Sequence, residues 1–172
     1  MTESNLPLRS GVGVIVLNNE NQVFVGKRKD NPIDKWQMPQ GGVNYKEDFL
    51  TAMKRELEEE TSIKNVKVLK ELEGSFEYEL PKELLGIIWK GKFRGQKQKW
   101  FLLMLTGCDS RVSFAYGDPP EFDDWRWVSY WYPLNQVVSF KREVYRKALK
   151  ELAPSLHAIA AEAGDNKTIR NQ

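Results

Sequence analysis

The chain has 172 residues, 41% hydrophobic and 29% charged, with a net charge of +2. That length suits one domain with its own core, needing neither disulfides nor a structural metal. One cysteine, Cys108, excludes an internal disulfide, and with one histidine it excludes most zinc sites. A Ser-His-Asp mechanism would have to use His157, in an Ala-rich C-terminal stretch. No apolar run approaches the ~18 residues of a membrane span, and residues 1–5 are neither basic nor apolar, so no signal peptide or membrane association is expected.

Residues 11–17 and 22–26 read as strands joined by the turn-rich 18–21, a hairpin. Residues 36–39 form a short extended piece ending at Pro39, followed by Gly41-Gly42. Residues 47–60 read as a helix whose apolar stripe is Phe49, Leu50, Met53 and Leu57. Residues 66–72 and 75–80 look extended, up to Pro81. The run 100–106 reads as a central strand and 125–128 as another. Residues 141–153 form a second amphipathic helix that Pro154 ends or kinks. The expected organisation is one domain over 1–164 with a polar, flexible tail over 165–172. Strands and helices mix without regular βαβ alternation, so the fold class is α/β (α+β), with helices on a mixed sheet.

Charge is distributed unevenly. Residues 90–99 carry five positive charges and no negative one; residues 41–63 carry six carboxylates against three bases. By charge alone the simpler reading is two solvated faces. The sharper one is a polyanion held through metal ions. On a helix, Glu56, Glu59 and Glu60 stand at i, i+3 and i+4 and share one face. Unpaired, they repel one another; hard divalent cations such as magnesium relieve that repulsion. Glu58 points elsewhere, and Arg55 can pair with a neighbouring carboxylate. The glycines at 41–42 permit close backbone approach to a ligand.

With Glu47, Arg55 and Ile63, this segment resembles the Nudix box: Gly, five residues, Glu, seven residues, then Arg-Glu-hydrophobic-x-Glu-Glu-x-Gly-hydrophobic. Every fixed position over 41–63 matches except the last glycine, where Ser62 stands. That glycine would occupy a helix C-terminus in the left-handed region. Serine adopts it at a cost of ~1–2 kcal/mol, an effect on stability rather than activity. The resemblance implies an α/β/α sandwich around a mixed sheet and hydrolysis of a phosphoric anhydride in a nucleoside diphosphate derivative. It implies magnesium, with manganese as the alternative, in two or more ions held by Glu56, Glu59, Glu60 and Glu121, with Gly41 among the metal ligands. Glu47 and Arg55 support the loop–helix geometry, and these two with the four glutamates make up the catalytic set.

Outside the box, residues 36–42, 95–101, 120–123, 125–138 and 139–142 resemble the branch of the family that contains RNA pyrophosphohydrolases and dinucleoside-polyphosphate hydrolases. The resemblance covers residues 9–152. It implies phosphate contacts from Arg9 and Arg28, although Arg9 is followed by Ser10-Gly11 where relatives more often have Pro-Asn. Gln96, Lys97 and Lys99 stand at the mouth of the 100–106 strand, where lysines attract phosphate although alternate side chains face water, and with Lys141 they join the expected substrate-binding set. Phe140, beside Lys141, is either a stacking platform for the first base or a core aromatic; the Ser-Phe-Lys-Arg match favours stacking. Tyr78 is either a substrate contact or a structural strand tyrosine. Trp36, Trp100, Trp125, Trp127 and Trp131 read as core.

The expected activity is conversion of 5′-tri- or diphosphorylated RNA to 5′-monophosphorylated RNA. The alternative is hydrolysis of diadenosine tetraphosphate to ATP and AMP, which the loop 29–35 resembles. A sanitising triphosphatase and a non-catalytic binding module rank lower, the latter because the box carboxylates are intact. The RNA chemistry implies a cytoplasmic protein, and some relatives respond to a protein activator.

Overall fold

A computed structural model describes residues 5–29, 35–109, 112–114 and 120–170, with side chains through Leu156. An eight-stranded mixed sheet is its centre. β1 (Leu8–Leu17) and β2 (Val23–Arg28) form the expected hairpin, with Asn18 Oδ1 accepting from the backbone N–H of Glu20 and Gln22 to shape the turn. β3 (Trp36–Gln37) pairs with β2, and β4 (Gln40–Gly42) pairs with the first half of β1. α1 spans Phe49–Thr61. β5 (Val66–Glu71) and β6 (Phe76–Glu79) lie antiparallel to β7 (Gly95–Leu105). β8 (Phe122–Val128) lies antiparallel to β2, and a short α2 (Pro133–Gln136) leads to α3 (Arg142–Arg170).

β1 and β7 run parallel in continuous register from Leu8↔Gly95 to Leu17↔Met104. Both are covered on two faces, which explains their unbroken apolar runs. Val12, Val14, Val16, Phe101 and Leu103 point towards α1 and meet Ala52, Met53 and Leu57. Ile15, Leu17, Trp100 and Leu102 point the other way and meet Val144, Tyr145, Ala148, Leu149 and Leu152 of α3. Helices on both faces make the α/β/α sandwich.

Several elements differ from expectation. β7 begins at Gly95, so the basic stretch 95–99 is part of the strand, because its polar residues alternate in and out as a strand requires. In α1, Met53 and Leu57 are buried, but Phe49 and Leu50 are 38% and 40% exposed on the first turn. Trp131 is 48% exposed, packed edge-on against Tyr130. α3 does not stop at Pro154; it continues to Arg170. The side chain of His157, residues 30–34 of the loop 29–35, and residues 171–172 of the tail lie outside the described residues.

Candidate active site

The box folds as a loop locked to a helix. Asp48 caps α1 by accepting from the Thr51 backbone N–H at 2.8 Å. Glu47 receives two hydrogen bonds from Arg55, Nε to Oε2 and Nη2 to Oε1, each 2.9 Å. Arg55 also donates to the Gly42 carbonyl at 2.8 Å, so one guanidinium ties the helix to the glycine loop. This pairing holds the Glu47 carboxyl at about 2, and the Asn44 backbone N–H adds to the effect. At the far end Ser62 adopts φ +63°, ψ +10°, the left-handed position expected of the missing glycine. Its N–H bonds to the Glu58 carbonyl, and its hydroxyl donates to the Ser113 carbonyl at 2.9 Å.

The three box glutamates occupy graded environments on one face. Glu59 is the most exposed, and its Oε2 accepts from Arg55 Nη1 at 3.2 Å. Glu56 is mostly buried, with Oε1 2.9 Å from the same nitrogen. Glu60 is 7% exposed; its Oε2 accepts the Gln40 N–H at 3.2 Å, and its Oε1 is buried without a hydrogen-bond partner. Burial raises the Glu60 carboxyl well above its ordinary value, and the adjacent Glu121 and then Glu56 push it further. Glu56 is raised by burial as well, against the pull of Arg55. Glu58 turns away to Lys64 at 3.1 Å, as its helix position dictates.

Glu121 reaches this group because of an irregularity in β8. The pairing runs Lys27↔Asp124 and then Arg28↔Phe122, which leaves Asp123 as an extra residue. A bulge reverses the alternation beyond it. Phe122 therefore packs against Gly26, and Glu121 turns towards Glu60.

Among the described residues, no three such side chains are already drawn together as a closed metal cage. The chemistry nevertheless fits a hard divalent ion. The donors are all carboxylate oxygens, two of them raised by burial and mutual repulsion, and one buried oxygen lacks a partner.

Beside the carboxylates opens a cavity of about 330 Å³. Arg9, Arg28, Lys141, Gly41 and Glu121 line it along with Tyr78 and Phe140, whose rings meet at 5.7 Å. Lys141 is 4% exposed, with Nζ 5.7 Å from the Tyr78 ring centre and 5.9 Å from that of Phe140. Gln96 is behind this wall, accepting from the Tyr78 hydroxyl at 3.1 Å and donating to the Gly41 carbonyl at 3.4 Å. Lys97 and Lys99 are not part of the lining. They point to the α1 side of β7, where Lys97 is exposed and Lys99 pairs with Glu71 at 2.8 Å and covers the Phe49 ring.

Two glutamines and a tryptophan went unnoticed in the sequence. Gln37 Oε1 accepts from Arg28 Nη1 at 3.3 Å and lies 3.5 Å from Lys141 Nζ, so it spaces two cavity cations. Gln98 donates to both Gln40 and Gln96, extending a buried amide chain to the glycine loop. Trp89 lines the cavity over Arg9. The alternation Gly-Gln-Lys-Gln-Lys in 95–99 was a usable signal for the inward glutamines; Trp89 carried none.

The model of the NUDIX domain matches residues 7–152. The chain belongs to this family. Curated Nudix relatives include the RNA pyrophosphohydrolase of Pelagibacter ubique, 54% identical over 153 residues, covering 89% of this chain and 96% of that protein. The RNA pyrophosphohydrolase of Ectopseudomonas mendocina is 51% identical over 150 residues, covering 86% and 93%. Among solved structures, the Escherichia coli dihydroneopterin triphosphate pyrophosphohydrolase superposes with a TM-score of 0.65 at 20% identity, covering 84% of this chain and 99% of its own. A Caenorhabditis elegans Ap4A hydrolase gives 0.57 at 19%, covering 84% and 98%. These two likenesses establish the Nudix fold. The chain is accordingly a Nudix hydrolase acting on pyrophosphate bonds.

Proposed function

We propose that this Nudix hydrolase removes phosphate or pyrophosphate from the 5′ end of RNA and leaves a 5′-monophosphate. One observation carries the reading: a cation-lined cavity with an aromatic wall, Tyr78–Phe140, opens onto the carboxylates of α1. The RNA pyrophosphohydrolases at about half identity over most of the chain support it.

Arg9, Arg28 and Lys141 bind the phosphate chain, and Arg28 presents a planar fork suited to paired phosphate oxygens. Phe140 stacks on a base at the cavity rim. Glu56, Glu59, Glu60 and Glu121 would hold divalent metal, magnesium by the all-oxygen donor set, with the Gly41 carbonyl beside them. Bound there, such ions supply charge neutralisation at phosphorus and a more acidic water. Arg55 and Glu47 keep α1 in register with the glycine loop, so that the carboxylates face the phosphates. A free carboxylate oxygen of this group takes the proton of the attacking water. The reading has the protein meet its RNA substrate in the cytoplasm. Among the described residues, no helix is long and apolar enough to cross a membrane.

The test is a competition in magnesium between a short 5′-triphosphorylated RNA, its 5′-diphosphorylated form and diadenosine tetraphosphate, with Glu59→Gln as the blank. A higher kcat/KM on either RNA supports the reading. A higher value on the dinucleotide replaces it with dinucleoside-polyphosphate hydrolysis, for which the same cations and aromatic wall serve.

A further inference from the structure

Between β6 and β7 the chain makes a strap over residues 81–93. Its base is closed by the Leu80 N–H on the Arg94 carbonyl at 2.8 Å. Arg94 in turn is fixed to the approach of β1: its N–H donates to the Pro7 carbonyl at 3.0 Å, and its Nη1 to the Leu6 carbonyl at 2.8 Å. Leu84, Leu85 and Ile88 pack on the core of the α3 face. The strap thus has a firm footing at both ends.

At its tip the backbone is strained. Trp89 has φ +52° and Lys90 φ +58°, followed by Gly91 at +70°. Among the described residues these are the only two adjacent non-glycine residues with positive φ. A bulky aromatic residue is unfavourable there and persists only where its surroundings hold it. What the turn achieves is to carry the Trp89 ring into the cavity wall, 5.3 Å from the guanidinium carbon of Arg9. Phe93 braces that ring edge-on at 6.2 Å. The Arg9 guanidinium also lies against Gly42, where a Cβ would stand 2.2 Å from Nη2. Arg9 is therefore held by contacts with both an indole face and a glycine backbone.

We propose that Trp89 is a positioning residue for Arg9: the strap holds the guanidinium extended over the phosphate end of the cavity. The inference rests on the reading of that cavity as a 5′-phosphate site. An unclamped arginine would give up its rotamer freedom on every binding event; a clamped one has already done so.

The test is a double-mutant cycle of Trp89→Ala and Arg9→Ala, with Trp89→Phe as the conservative variant. Steady-state turnover of a triphosphorylated RNA is one readout. Calorimetric binding of inorganic tripolyphosphate with magnesium is the other, and it needs no RNA activity. Trp89→Ala should raise KM and the tripolyphosphate Kd about tenfold, with a much smaller effect on kcat. Trp89→Phe should restore most of that loss. The double variant should bind no worse than Arg9→Ala alone, because the clamp has nothing left to hold. Lys90→Gly keeps the ring and eases the turn; it should raise Tm and leave Kd unchanged. Additive losses in the cycle, or an unchanged tripolyphosphate Kd in Trp89→Ala, would overturn the proposal. If RNA is no substrate but the cycle is still non-additive for tripolyphosphate, the clamp stands and only the substrate reading fails. A folding defect in Trp89→Ala leaves Trp89→Phe and Lys90→Gly to decide: a tripolyphosphate Kd weakened about tenfold in either would also overturn it.

Discussion

Gly41 presses against the carboxyl group of Glu56: a Cβ on Gly41 would stand 2.0 Å from the Glu56 carboxyl carbon and 2.2 Å from its Oε2. The glycine is thus required by its close contact with the Glu56 side chain. Gly41→Ala should push Glu56 off its position while the packing of α1 on the sheet through Ala52, Met53 and Leu57 stays intact. A displacement of about 1 Å can cost on the order of 100-fold in rate. The expected result is a large fall in kcat with a near-native circular dichroism spectrum. Wild-type turnover would show that the Glu56 position is not critical.

Glu60 buries an oxygen without a partner among like charges. A carboxyl raised above its unfolded value takes up a proton on folding, so without metal this group makes stability fall as pH rises from the unfolded value towards the raised one. Glu60→Gln removes that charge and offers Glu121 a donor. An unsatisfied buried polar group costs roughly 1–3 kcal/mol, and each kcal/mol is worth about 2–4 °C in a chain of this size. Metal-free Glu60→Gln should melt a few degrees above wild type, lose most turnover, and show a smaller rise in Tm on adding magnesium. Equal magnesium-induced shifts in both proteins would remove Glu60 from the metal site.

Ser62 shows how far the sequence reached. The family pattern asked for glycine, the reading was a left-handed helix end, and the backbone has it. The box itself, the hairpin and the two helices were legible because each is written in local spacing. What was not legible depends on pairing between distant strands. The bulge at Asp123 that turns Glu121 inward arises from the β2–β8 register. The alternation in 95–99 separates Gln96 and Gln98 from Lys97 and Lys99, but which set faces the cavity and which faces α1 follows from the β1–β7 ladder. The left-handed turn at Trp89-Lys90 has no local signal at all, since neither residue favours it.

Ser62→Gly tests the energetic side of that reading. Glycine removes a strain of ~1–2 kcal/mol, against the loss of one solvent-accessible hydrogen bond to the Ser113 carbonyl. A net gain of about 1 kcal/mol corresponds to roughly 2–4 °C. Differential scanning calorimetry should record that increase with kcat unchanged. A lower Tm would mean that the hydroxyl bond to residue 113 outweighs the strain.

Phe140 packs against Tyr78 and also edges the cavity, so both readings of it, stacking platform and core aromatic, have a structural basis. They separate on binding. Stacking on a base is worth ~1–3 kcal/mol by truncation. Phe140→Ala should therefore raise KM for RNA about tenfold while metal-dependent hydrolysis of a nucleotide lacking that base contact is spared. Loss of both activities together with a lowered Tm would identify a packing residue.

Glu47 offers a test in pH. Its two bonds from Arg55 hold the carboxyl at about 2, against an ordinary value of 4.5. A depressed carboxyl releases its proton on folding, so its contribution is complete above about 4.5, declines as pH falls, and is gone below about 2. Glu47→Gln should be less stable than wild type at neutral pH, and the two melting curves should converge between pH 4.5 and 2. Arg55 would then lean further on Glu56 and Glu59, which it already contacts at 2.9 and 3.2 Å, and turnover should fall with stability. A gap in Tm that stays constant down to pH 2.5 would assign the loss to shape rather than charge, and would release Glu47 from its role as the anchor of Arg55.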